Sequence, residues 1–375
     1  MILHGRCFQD DSAFRGVGRY ARGLLRGFAE LAAEGVELAV GLEPGAGLRP
    51  ESLAEPGAGG GLFGAPVHAL PLDARGLPWW RRGRALDAGL RAAGADVFHI
   101  PAQFYAYHYL RIATPCVITV QDLIPFLEPA SERERRRGPR RLRRLGQFCR
   151  RARRVIALSG WVRAQCVEVL GVDPERVVAI PPGVEPHFTR EPGDDAAVLR
   201  RHGLVRPYFV YVGGDDAHKN LAGLLEAFRR FLEAAPGEHE LVLVGRGAAD
   251  LPADPRVRRL AFVGDAELPA LYRGARACVS LSRHEGFGLP FLEALACGTP
   301  VLAGDVTAVP ETLAGAGLLV DPDDPAQAAR VLLRLAREPA LRTELRERGL
   351  KRAAGFTWER AAAATLDAYR AALRG

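Results

Sequence analysis

The sequence predicts an α/β protein of two domains, each built on a parallel sheet that is covered by helices. Short apolar runs alternate with helical patterns along the whole chain, as they do in doubly wound sheets. The 375 residues are too many for one ordinary hydrophobic core. A polar, proline-rich stretch at 181–195 divides the apolar runs into two groups and predicts the boundary between the domains.

The predicted domains comprise residues 1–188 and 196–356, and residues 357–375 are predicted to form a final helix. Short apolar runs have the length of buried strands. In the first domain these runs predict five strands, at 36–42, 97–100, 116–120, 155–158 and 177–180. In the second domain they predict six strands, at 208–212, 240–244, 260–263, 277–281, 301–303 and 318–320. Ligands of such sheets bind at the carboxyl ends of the strands.

The composition indicates a globular protein without disulfides. Hydrophobic residues make up 48% of the chain and charged residues 25%, which are ordinary values. The six cysteines show no C-x-x-C spacing, and several lie inside apolar runs. They are therefore predicted to be reduced core residues, neither disulfide partners nor zinc ligands. No signal-peptide pattern opens the chain, and no apolar stretch approaches the ~18–20 residues of a membrane span, so we expect a cytoplasmic protein.

The most informative segment is 282–300, with the sequence SRHEGFGLPFLEALACGTP. It reads as a glycine loop that follows a strand and leads into a helix. Pro290 suits the first turn of that helix, where its missing N–H costs nothing, and Gly298 is typical of a helix end. The free backbone amides of residues 286–289 would lie at the positive end of the helix dipole, which favours an anion.

Two carboxylates, Glu285 and Glu293, flank this predicted anion site. A carboxylate repels a phosphate group, so a phosphate is not the expected partner of either side chain. Hydroxyl groups of a sugar and of a ribose are the natural partners. The alternative interpretation is that Glu293 only compensates the helix dipole and that Glu285 is an ordinary loop residue.

The segment resembles the E-x7-E signature of retaining glycosyltransferases of the GT-B fold (family four type, mannosyltransferase-like subgroup). The resemblance implies two doubly wound domains that face a cleft, with a C-terminal helix that crosses back to the first domain. It also implies that Glu285 binds the transferred hexose and that Glu293 binds the ribose hydroxyls. Four backbone amides would then hold the diphosphate and the sugar, those of Gly286, Phe287, Gly288 and Leu289.

The stretch 210–221, VYVGGDDAHKNL, predicts a strand, a glycine turn and the start of a helix. Gly213 and Gly214 allow a sharp turn and a close approach to a ligand. Lys219 places a point charge near that turn, which suits a diphosphate leaving group. The family usually has arginine where this chain has His218, so a titratable charge replaces a permanent one. A solvated surface lysine is the alternative.

Two further strand tips carry donor-site candidates. One strand ends in a basic residue, Arg246, and another ends near Val263. The resemblance implies that these tips hold the nucleobase, largely through backbone groups around Val263. Strands that end in glycine are common in doubly wound domains, so this signal is less specific than the preceding two.

In the first domain, the sequence RGVGRY at 15–20 opens an amphipathic helix. It lacks the third glycine and the acidic residue of a dinucleotide fingerprint. The resemblance places this loop over the donor phosphates and the acceptor, with Gly16 and Gly18 allowing close approach. Arg19 and Tyr20 would then lie on the acceptor side. The alternative is a helix N-terminus with convenient glycines.

At Gln121 the chain departs from the mannosyltransferase-like subgroup, which usually has histidine followed by aspartate where this chain has Gln121 followed by Asp122. Gln121 can hydrogen-bond to an acceptor but cannot take a proton at neutral pH. The acceptor proton is therefore expected to pass to the leaving-group oxygens or to Asp122. The catalytic residues that the sequence predicts are Glu285, Lys219 and Asp122.

From Arg133 to Arg154 the chain carries twelve arginines, which account for much of its net charge of +7. Aromatic platforms and a nucleic-acid fold are absent, so nucleic acid is a poor candidate. An anionic membrane surface or a lipid-linked acceptor fits better, and it would place the protein at the inner face of the membrane. A solvated arginine-rich helix is the alternative.

Together with these features, the resemblance implies a metal-independent transfer of a hexose from a nucleotide-sugar to a hydroxyl group of a glycan, lipid-linked or small-molecule acceptor. Retention of the anomeric configuration is an implication of the resemblance alone. GDP-mannose is the favoured donor, and UDP and dTDP sugars stay open. No cofactor is expected beyond the donor. A nucleotide-sugar epimerase or dehydrogenase would need a G-x-G-x-x-G motif between a strand and a helix, and a Tyr-x-x-x-Lys pair. The chain has that glycine spacing only in a low-complexity stretch, at 59–64, and it has no Tyr-x-x-x-Lys pair. A catalytically weak partner subunit is the other alternative, because Gln121 and His218 depart from the family pattern.

Overall fold

The computed structural model describes residues 1–9, 16–31, 37–43, 65–70, 79–106, 112–127, 132–235, 237, 239–245, 247, 254–260 and 263–374. The chain folds into two compact units. One unit consists of Met1–Gly183 together with Phe356–Gly375, and the other of Val184–Gly355. Each unit is a parallel sheet with helices, as the sequence predicts.

The first unit has a seven-stranded sheet in the order β3-β2-β1-β4-β5-β6-β7, and every neighbouring pair is parallel. Its central strands are fully buried, as expected for a sheet that is covered on both faces. The strands are β1 (Ile2–His4), β2 (Ala39–Leu42), β3 (Val67–Ala69), β4 (Phe98–Ile100), β5 (Cys116–Val120), β6 (Arg154–Ala157) and β7 (Val177–Ala179).

The second unit has a six-stranded parallel sheet in the order β10-β9-β8-β11-β12-β13. From β8 the chain adds β9 and β10 on one side of the sheet, and it then returns to add β11, β12 and β13 on the other side. The strand order therefore reverses between β8 and β11, which are neighbours in the sheet (Cys278 pairs with Val210). The strands are β8 (Tyr208–Val212), β9 (Glu240–Val244), β10 (Val257–Leu260), β11 (Ala277–Ser280), β12 (Val301–Gly304) and β13 (Leu318–Val320).

Helices connect most of the strands, because parallel neighbours need a long crossover connection. The helices of the first unit are α1 (Gly16–Leu31), α2 (Trp79–Ala92), α3 (Gln103–Ala106), α4 (Ile124–Leu127), α5 (Glu132–Cys149), α6 (Gly160–Glu168) and α14 (Trp358–Arg374). Those of the second unit are α7 (Asp195–Arg201), α8 (Leu221–Ala234), α9 (Leu268–Gly274), α10 (Leu289–Ala296), α11 (Val309–Leu313), α12 (Pro325–Arg337) and α13 (Pro339–Ala353).

Three strands differ from the prediction. β1 and β3 were not predicted, because each is only three residues long and strands were predicted from the length of apolar runs. β10 begins at Val257, three residues before the predicted start at 260. The strand contains two arginines, which interrupt the apolar run from which its limits were predicted. One of them, Arg258, extends to the buried Glu240 on β9, with 3.3 Å between guanidinium and carboxylate.

All six cysteines are free and buried, which confirms that they are core residues. Burial raises the pKa of the Cys116 and Cys166 thiols to about 12, because a buried thiolate loses its hydration. These thiols are therefore protonated and unreactive at neutral pH.

The C-terminal helix α14 packs against α1, so the last helix returns to the first unit as predicted. The two helices approach closely because α1 has glycines at the contact. A Cβ atom at Gly27 would lie 2.2 Å from the carbonyl oxygen of Trp358, and one at Gly23 would overlap the Trp358 ring. A larger residue at either position would push the helices apart.

A buried hydrogen-bond network joins α14 to the sheet of the first unit. The His99 ring lies between two hydroxyls, 2.7 Å from that of Tyr369 on α14 and 2.8 Å from that of Thr119 on β5. Thr119 lies in turn 3.1 Å from the Tyr20 hydroxyl on α1. Burial lowers the pKa of His99 to about 3, so the ring is neutral over the physiological range.

This network predicts an acid-sensitive first unit. The pKa of His99 falls from 6.5 to about 3 on folding, so protons bind preferentially to the unfolded state. The contribution of His99 to stability is complete above pH 6.5 and declines as the pH falls towards 3, by up to about 1.4 kcal/mol per pH unit. All four tryptophans lie in the first unit, so urea unfolding followed by tryptophan fluorescence at pH 7, 6 and 5 reports on it. The free energy of unfolding of His99→Gln should depend less steeply on pH than that of the wild type. If the two proteins lose stability equally between pH 7 and pH 5, His99 is not the group responsible.

Candidate functional site

The candidate site lies at the carboxyl ends of β8 and β11, where the strand order of the second unit reverses. This position is the usual ligand site of an open α/β sheet, because the loops from the two strands run to opposite sides. The loop after β8 carries the stretch 213–220, and the loop after β11 carries the stretch 281–288. The sequence predicts a donor-binding loop in each of these stretches.

The glycine turn after β8 is held against the tip of β9. The amide of Gly213 donates to the carbonyl of Val244 (3.0 Å), and the hydroxyl of Tyr211 donates to the carbonyl of Gly214 (2.5 Å). Gly245 has a φ of 134°, and a Cβ atom there would lie 2.2 Å from the carbonyl oxygen of Gly213. Two strand tips therefore meet at a distance that only glycine allows.

Lys219 ends a short 3-10 turn, Ala217–Lys219, and is followed by Asn220 in the left-handed conformation (φ 50°, ψ 43°). The Asn220 side chain caps α8 by accepting from the amide of Gly223 (3.3 Å), and its amide group donates to the carbonyl of Pro322 (2.7 Å). The buried Asn220 thus fixes the direction in which the chain leaves Lys219. The sequence analysis passed over Asn220, although asparagine before a helical pattern is a capping signal.

The loop after β11 leads into α10 as the sequence predicts. Pro290 lies in the first turn, the helix ends at Ala296, and Gly298 follows in the left-handed conformation with φ 72°. Gly288 precedes the helix with φ 91°, and a Cβ atom there would lie 2.5 Å from the Phe291 ring. Phe287 is buried, and its carbonyl accepts from the Thr312 hydroxyl (2.6 Å). Phe287, which lies between Gly286 and Gly288, thus anchors the loop to Thr312 on α11.

The two loops meet in an ion pair between the two charged residues that the sequence singled out. The Lys219 ammonium nitrogen lies 2.8 Å from an Oε1 atom of Glu285, although the residues are 66 positions apart. The side chains are 21% and 13% exposed. A backbone bond from the amide of Arg283 to the carbonyl of His218 (2.7 Å) also joins the loops. Lys219 and Glu285 thus belong to one site.

Glu293 lies in α10, and its residue is only 3% exposed. The Tyr272 hydroxyl on α9 donates to its Oε2 atom (3.1 Å). The Glu293 charge adds to the effect of burial in raising the pKa of the neighbouring Cys278 thiol. In this arrangement Glu293 serves as an internal hydrogen-bond acceptor, and its contact with ribose stays a prediction.

The strand tips predicted to hold the nucleobase are only partly described. Arg246 lies outside the described residues, and Val263 is half-buried between β10 and α9. Arg259 on β10 was missed by the sequence analysis. Its Nη2 atom is buried and has no hydrogen-bond acceptor within the described part of the chain, and its Nη1 atom lies beside Gly247. A basic residue inside a short strand gives no signal in the sequence that separates it from surface arginines.

In the first unit, Gly16 and Gly18 lie in the first turn of α1, and a Cβ atom at Gly16 would have no neighbour within 4 Å among the described residues. No contact within those described residues therefore requires glycine at position 16. Arg19 is half-buried in the same turn. Tyr20 differs from its predicted place on the acceptor side. It is 1% exposed and packs edge-on against Trp358, which puts its hydroxyl in the core. Burial raises its pKa to about 12.

Gln121 and Asp122 follow β5, and Gln103 holds them both. The Gln103 side chain accepts from the Gln121 amide (3.0 Å) and donates to the Asp122 carbonyl (2.8 Å). The Gln121 side chain donates to the carbonyl of Pro101 (3.2 Å), and Asp122 Oδ1 accepts from the Ile124 amide at the start of α4 (3.1 Å). The two predicted acceptor residues are thus held in place, and Gln103 is, like Asn220 and Arg259, a residue that was not predicted from the sequence.

Models of two glycosyltransferase domains match the chain. Residues 14–188 match Glycosyltransferase Family 4, and residues 206–338 match Glycosyl transferases group 1. Each match lies almost wholly within one unit, so the two units are similar to two glycosyltransferase domains. The second match contains Lys219, Glu285 and Glu293, and the first contains Gln121 and Asp122.

Two curated glycosyltransferases illustrate the similarity. An O-antigen chain mannosyltransferase B of Escherichia coli is 32% identical over 231 residues, which cover 58% of this chain and 61% of the relative. A D-inositol 3-phosphate glycosyltransferase of Frankia alni is 36% identical over 241 residues, which cover 59% of each protein. The chain thus spans about three fifths of the length of the curated relatives that it matches.

Solved structures confirm the GT-B fold. A sucrose-phosphate synthase from Thermosynechococcus elongatus superposes with a TM-score of 0.74 at 22% identity, covering 98% of this chain and 97% of the other. The Anabaena protein HepE in complex with UDP-glucose gives a TM-score of 0.74 at 18% identity, covering 98% of both chains. At these identities the likeness concerns the fold alone.

The arginine-rich segment of the chain forms helix α5 and the turn that follows it. Leu145 and Phe148 face the core, whereas seven arginines are exposed. The exposed arginines of α5 are Arg135, Arg136, Arg137, Arg140, Arg141, Arg143 and Arg144. The side chain of Arg133 lies outside the described residues, and Arg154 begins β6.

No helix of the described residues is long and apolar enough to cross a membrane. Within the same ranges, no three histidine, cysteine, aspartate or glutamate side chains are grouped so as to hold a metal ion.

Proposed function

We propose that the protein transfers a hexose, with retention of anomeric configuration, from a nucleoside diphosphate sugar to a hydroxyl acceptor. The observation that supports this most strongly is the ion pair of Lys219 with Glu285 in front of α10, at the switch point of the second sheet. A cation, a helix N-terminus and a carboxylate converge there. These are the groups that a diphosphate and a sugar require.

In the transfer, the bond between the anomeric carbon and the diphosphate oxygen breaks, and the diphosphate keeps the electron pair. Lys219 and the amides of residues 286–289 stabilise the negative charge as it develops, and the dipole of α10 adds to their effect. The acceptor oxygen forms the new bond to the anomeric carbon. Its proton passes to the departing diphosphate oxygen or to Asp122.

The ion pair gives Glu285 a second role before the donor binds. In the free protein, Glu285 neutralises Lys219, so neither charge is left unpaired in a site that is largely removed from solvent. The donor diphosphate then takes the place of the carboxylate at Lys219. Glu285 is released to accept hydrogen bonds from the hexose hydroxyls, so diphosphate binding and sugar orientation are coupled.

GDP-mannose is the proposed donor. The likeness to a mannosyltransferase of Escherichia coli supports this choice, together with the resemblance of the GVGRY and HEGFGLP segments to the mannosyltransferase subgroup. The alternative is a UDP sugar, since HepE of the same fold was solved with UDP-glucose. For Glu293 we retain the proposed contact with ribose, for which Tyr272 would have to give up its hydrogen bond.

The experiment that tests the donor is a calorimetric comparison of GDP, UDP, dTDP and ADP, followed by turnover of the matching nucleotide sugars. We expect GDP to bind at least about tenfold more tightly than UDP, which corresponds to about 1.4 kcal/mol. Release of GDP from GDP-mannose should exceed release of UDP from UDP-glucose. A preference for UDP would replace the donor but keep the transferase. Absence of turnover with every sugar would favour the partner-subunit alternative.

We also propose that the exposed arginines of α5 bind an anionic membrane surface or a lipid-linked acceptor at the inner face of the membrane. Each basic residue near such a surface contributes about 1 kcal/mol of binding free energy.

Vesicles containing phosphatidylglycerol should bind the protein at low salt, whereas phosphatidylcholine vesicles should not. Replacing Arg140, Arg141 and Arg144 with glutamine should abolish the binding. A matched triple replacement of exposed arginines of the second unit (Arg206, Arg330 and Arg348) should not. Equal binding by both variants would indicate a simply solvated helix.

A further inference from the structure

Thr307 has an unusual backbone conformation close to the candidate site. Its φ is 52°, in the left-handed region. Three non-glycine residues of the described ranges have positive φ, namely Asn220, Thr307 and Ala314, and Thr307 is the β-branched one among them. A β-branched residue rarely adopts this conformation, because its branched side chain crowds the backbone. Such strain persists only where the surrounding structure requires it, and it is concentrated at functional sites.

The Thr307 hydroxyl contacts the backbone of Glu285 twice. It accepts a hydrogen bond from the Glu285 amide (3.0 Å) and donates one to the Glu285 carbonyl (3.0 Å). One side-chain oxygen thus satisfies both backbone groups of a residue that lies 22 positions earlier in the chain. The partner is the residue whose carboxylate pairs with Lys219.

The segment around Thr307 is fixed from both sides. The amide of Asp305 donates to the Val320 carbonyl at the end of β13 (2.7 Å), and the amide of Val309 donates to the carbonyl of Val306 (3.0 Å). At Gly304, a Cβ atom would lie 2.7 Å from the carbonyl oxygen of Ser282. The end of β12 therefore runs directly against the start of the Glu285 loop, and the left-handed turn at Thr307 directs its hydroxyl back onto that loop.

We propose that Thr307 is a positioning residue, which holds the backbone of Glu285 so that the carboxylate reaches the hexose after the donor displaces it from Lys219. The inference rests on the proposed role of Glu285 in hexose binding. The ion pair with Lys219 holds the carboxylate only in the free protein. Once that contact is lost, the two backbone bonds to Thr307 still restrict where the side chain can go.

Both features of threonine have a part in this role. The hydroxyl supplies the hydrogen bonds, and the β-branch restricts the side-chain rotamers so that the hydroxyl stays directed at Glu285. Valine has the same shape but no hydroxyl, so Thr307→Val leaves the Glu285 amide and carbonyl without this partner. Serine retains the oxygen. Glycine lacks the hydroxyl but adopts positive φ without strain, so Thr307→Gly tests the hydrogen bonds in a relaxed backbone.

The test compares these three variants in the full chain, with turnover measured as nucleoside diphosphate release from GDP-mannose and from UDP-glucose, and with GDP and UDP affinity measured by calorimetry. We expect Thr307→Val and Thr307→Gly to lower kcat by about ten- to a hundredfold, as small misplacements of binding groups do. Diphosphate affinity should change less than about threefold in each, because the Lys219 contact does not involve Thr307. Thr307→Ser should retain kcat within about threefold.

A matched control is Thr365→Val in α14 of the first unit. It also removes a buried threonine hydroxyl, which donates to the Ala361 carbonyl (2.7 Å), and it should leave kcat unchanged. The combination of Thr307→Val with Glu285→Gln should be no slower than Glu285→Gln alone, because Thr307 acts through Glu285.

The outcomes separate this inference from the proposed function. Full turnover in Thr307→Val and Thr307→Gly, with Glu285→Gln inactive, would overturn the positioning role alone. A parallel loss of kcat and diphosphate affinity in these variants, with no rescue by serine, would show a merely structural residue and would overturn it too. Full turnover in Glu285→Gln would overturn the role assigned to Glu285, and with it this inference.

Discussion

Replacement of Glu285 by glutamine should remove most sugar transfer and leave nucleoside diphosphate binding unchanged or tighter. Glutamine has the shape of glutamate but not its charge, so it binds hexose hydroxyls weakly and provides little stabilisation for the positive charge that develops on the sugar. We expect kcat to fall by about a hundredfold or more. Because Lys219 loses its carboxylate partner at 2.8 Å, it is more available to the diphosphate. Turnover assays and calorimetry with GDP and UDP measure the two effects separately.

Glu338→Gln is the matched control for this experiment. Glu338 also pairs with a basic residue, Arg334, but the pair is exposed and lies away from the strand tips, after α12. Exposed ion pairs contribute little, so kcat and diphosphate affinity of this variant should stay within about twofold of the wild type. Weaker diphosphate binding by Glu285→Gln would mean that the carboxylate supports the phosphate site instead of competing for Lys219.

The elements of the candidate site were predictable because their signals are local. The glycine loop, Pro290 and Gly298 define α10 from neighbouring residues alone, and the helix has those limits. The contact between Lys219 and Glu285 was not predictable in the same way. It joins residues 66 positions apart, and it depends on β8 and β11 being neighbours in the sheet. The resemblance to a family implies that both residues belong to one site, but no local pattern indicates that they neutralise each other.

The misplaced Tyr20 shows where two sequence signals compete. It belongs to the apolar stripe of α1, which indicates the core, and it also follows the glycine turn, which indicates a ligand. Tyr20 is buried because its hydroxyl has a hydrogen-bond partner inside the unit, the Thr119 hydroxyl, which in turn contacts His99. A phenol with an internal partner can be buried at little cost.

Positive backbone angles at non-glycine residues left no trace in the sequence. Asn220 and Thr307 both adopt the left-handed conformation, and both have side chains that bond to distant parts of the chain, at Pro322 and at Glu285. For Thr307 the conformation is imposed by the tertiary contact, because a β-branched residue rarely adopts it by local preference. Asparagine adopts it more readily, and Asn220 has a local capping signal, whereas the role of Thr307 is found only when the structure is known.

Lys219→Ala should weaken the binding of nucleoside diphosphates by ~1.5–3 kcal/mol, the range for a charge-assisted hydrogen bond. Binding of the free nucleosides should scarcely change, because Lys219 acts on the phosphates. The loss has two parts. The diphosphate loses its cation, and Glu285, which is only 13% exposed, becomes an unpaired negative charge that repels it. Calorimetry with GDP, UDP and the matching nucleosides measures the difference.

The second part of that loss can be isolated. The chain has one other lysine, Lys351, which is exposed on α13, and Lys351→Ala should leave diphosphate affinity unchanged. In the double variant Lys219→Ala with Glu285→Gln, the unpaired carboxylate is gone, so diphosphate affinity should recover part of what Lys219→Ala loses. The recovery measures the repulsion, and the remaining deficit measures the direct contact of Lys219 with phosphate. If the nucleosides lose as much affinity as the diphosphates, Lys219 supports the fold of the loop and does not bind phosphate.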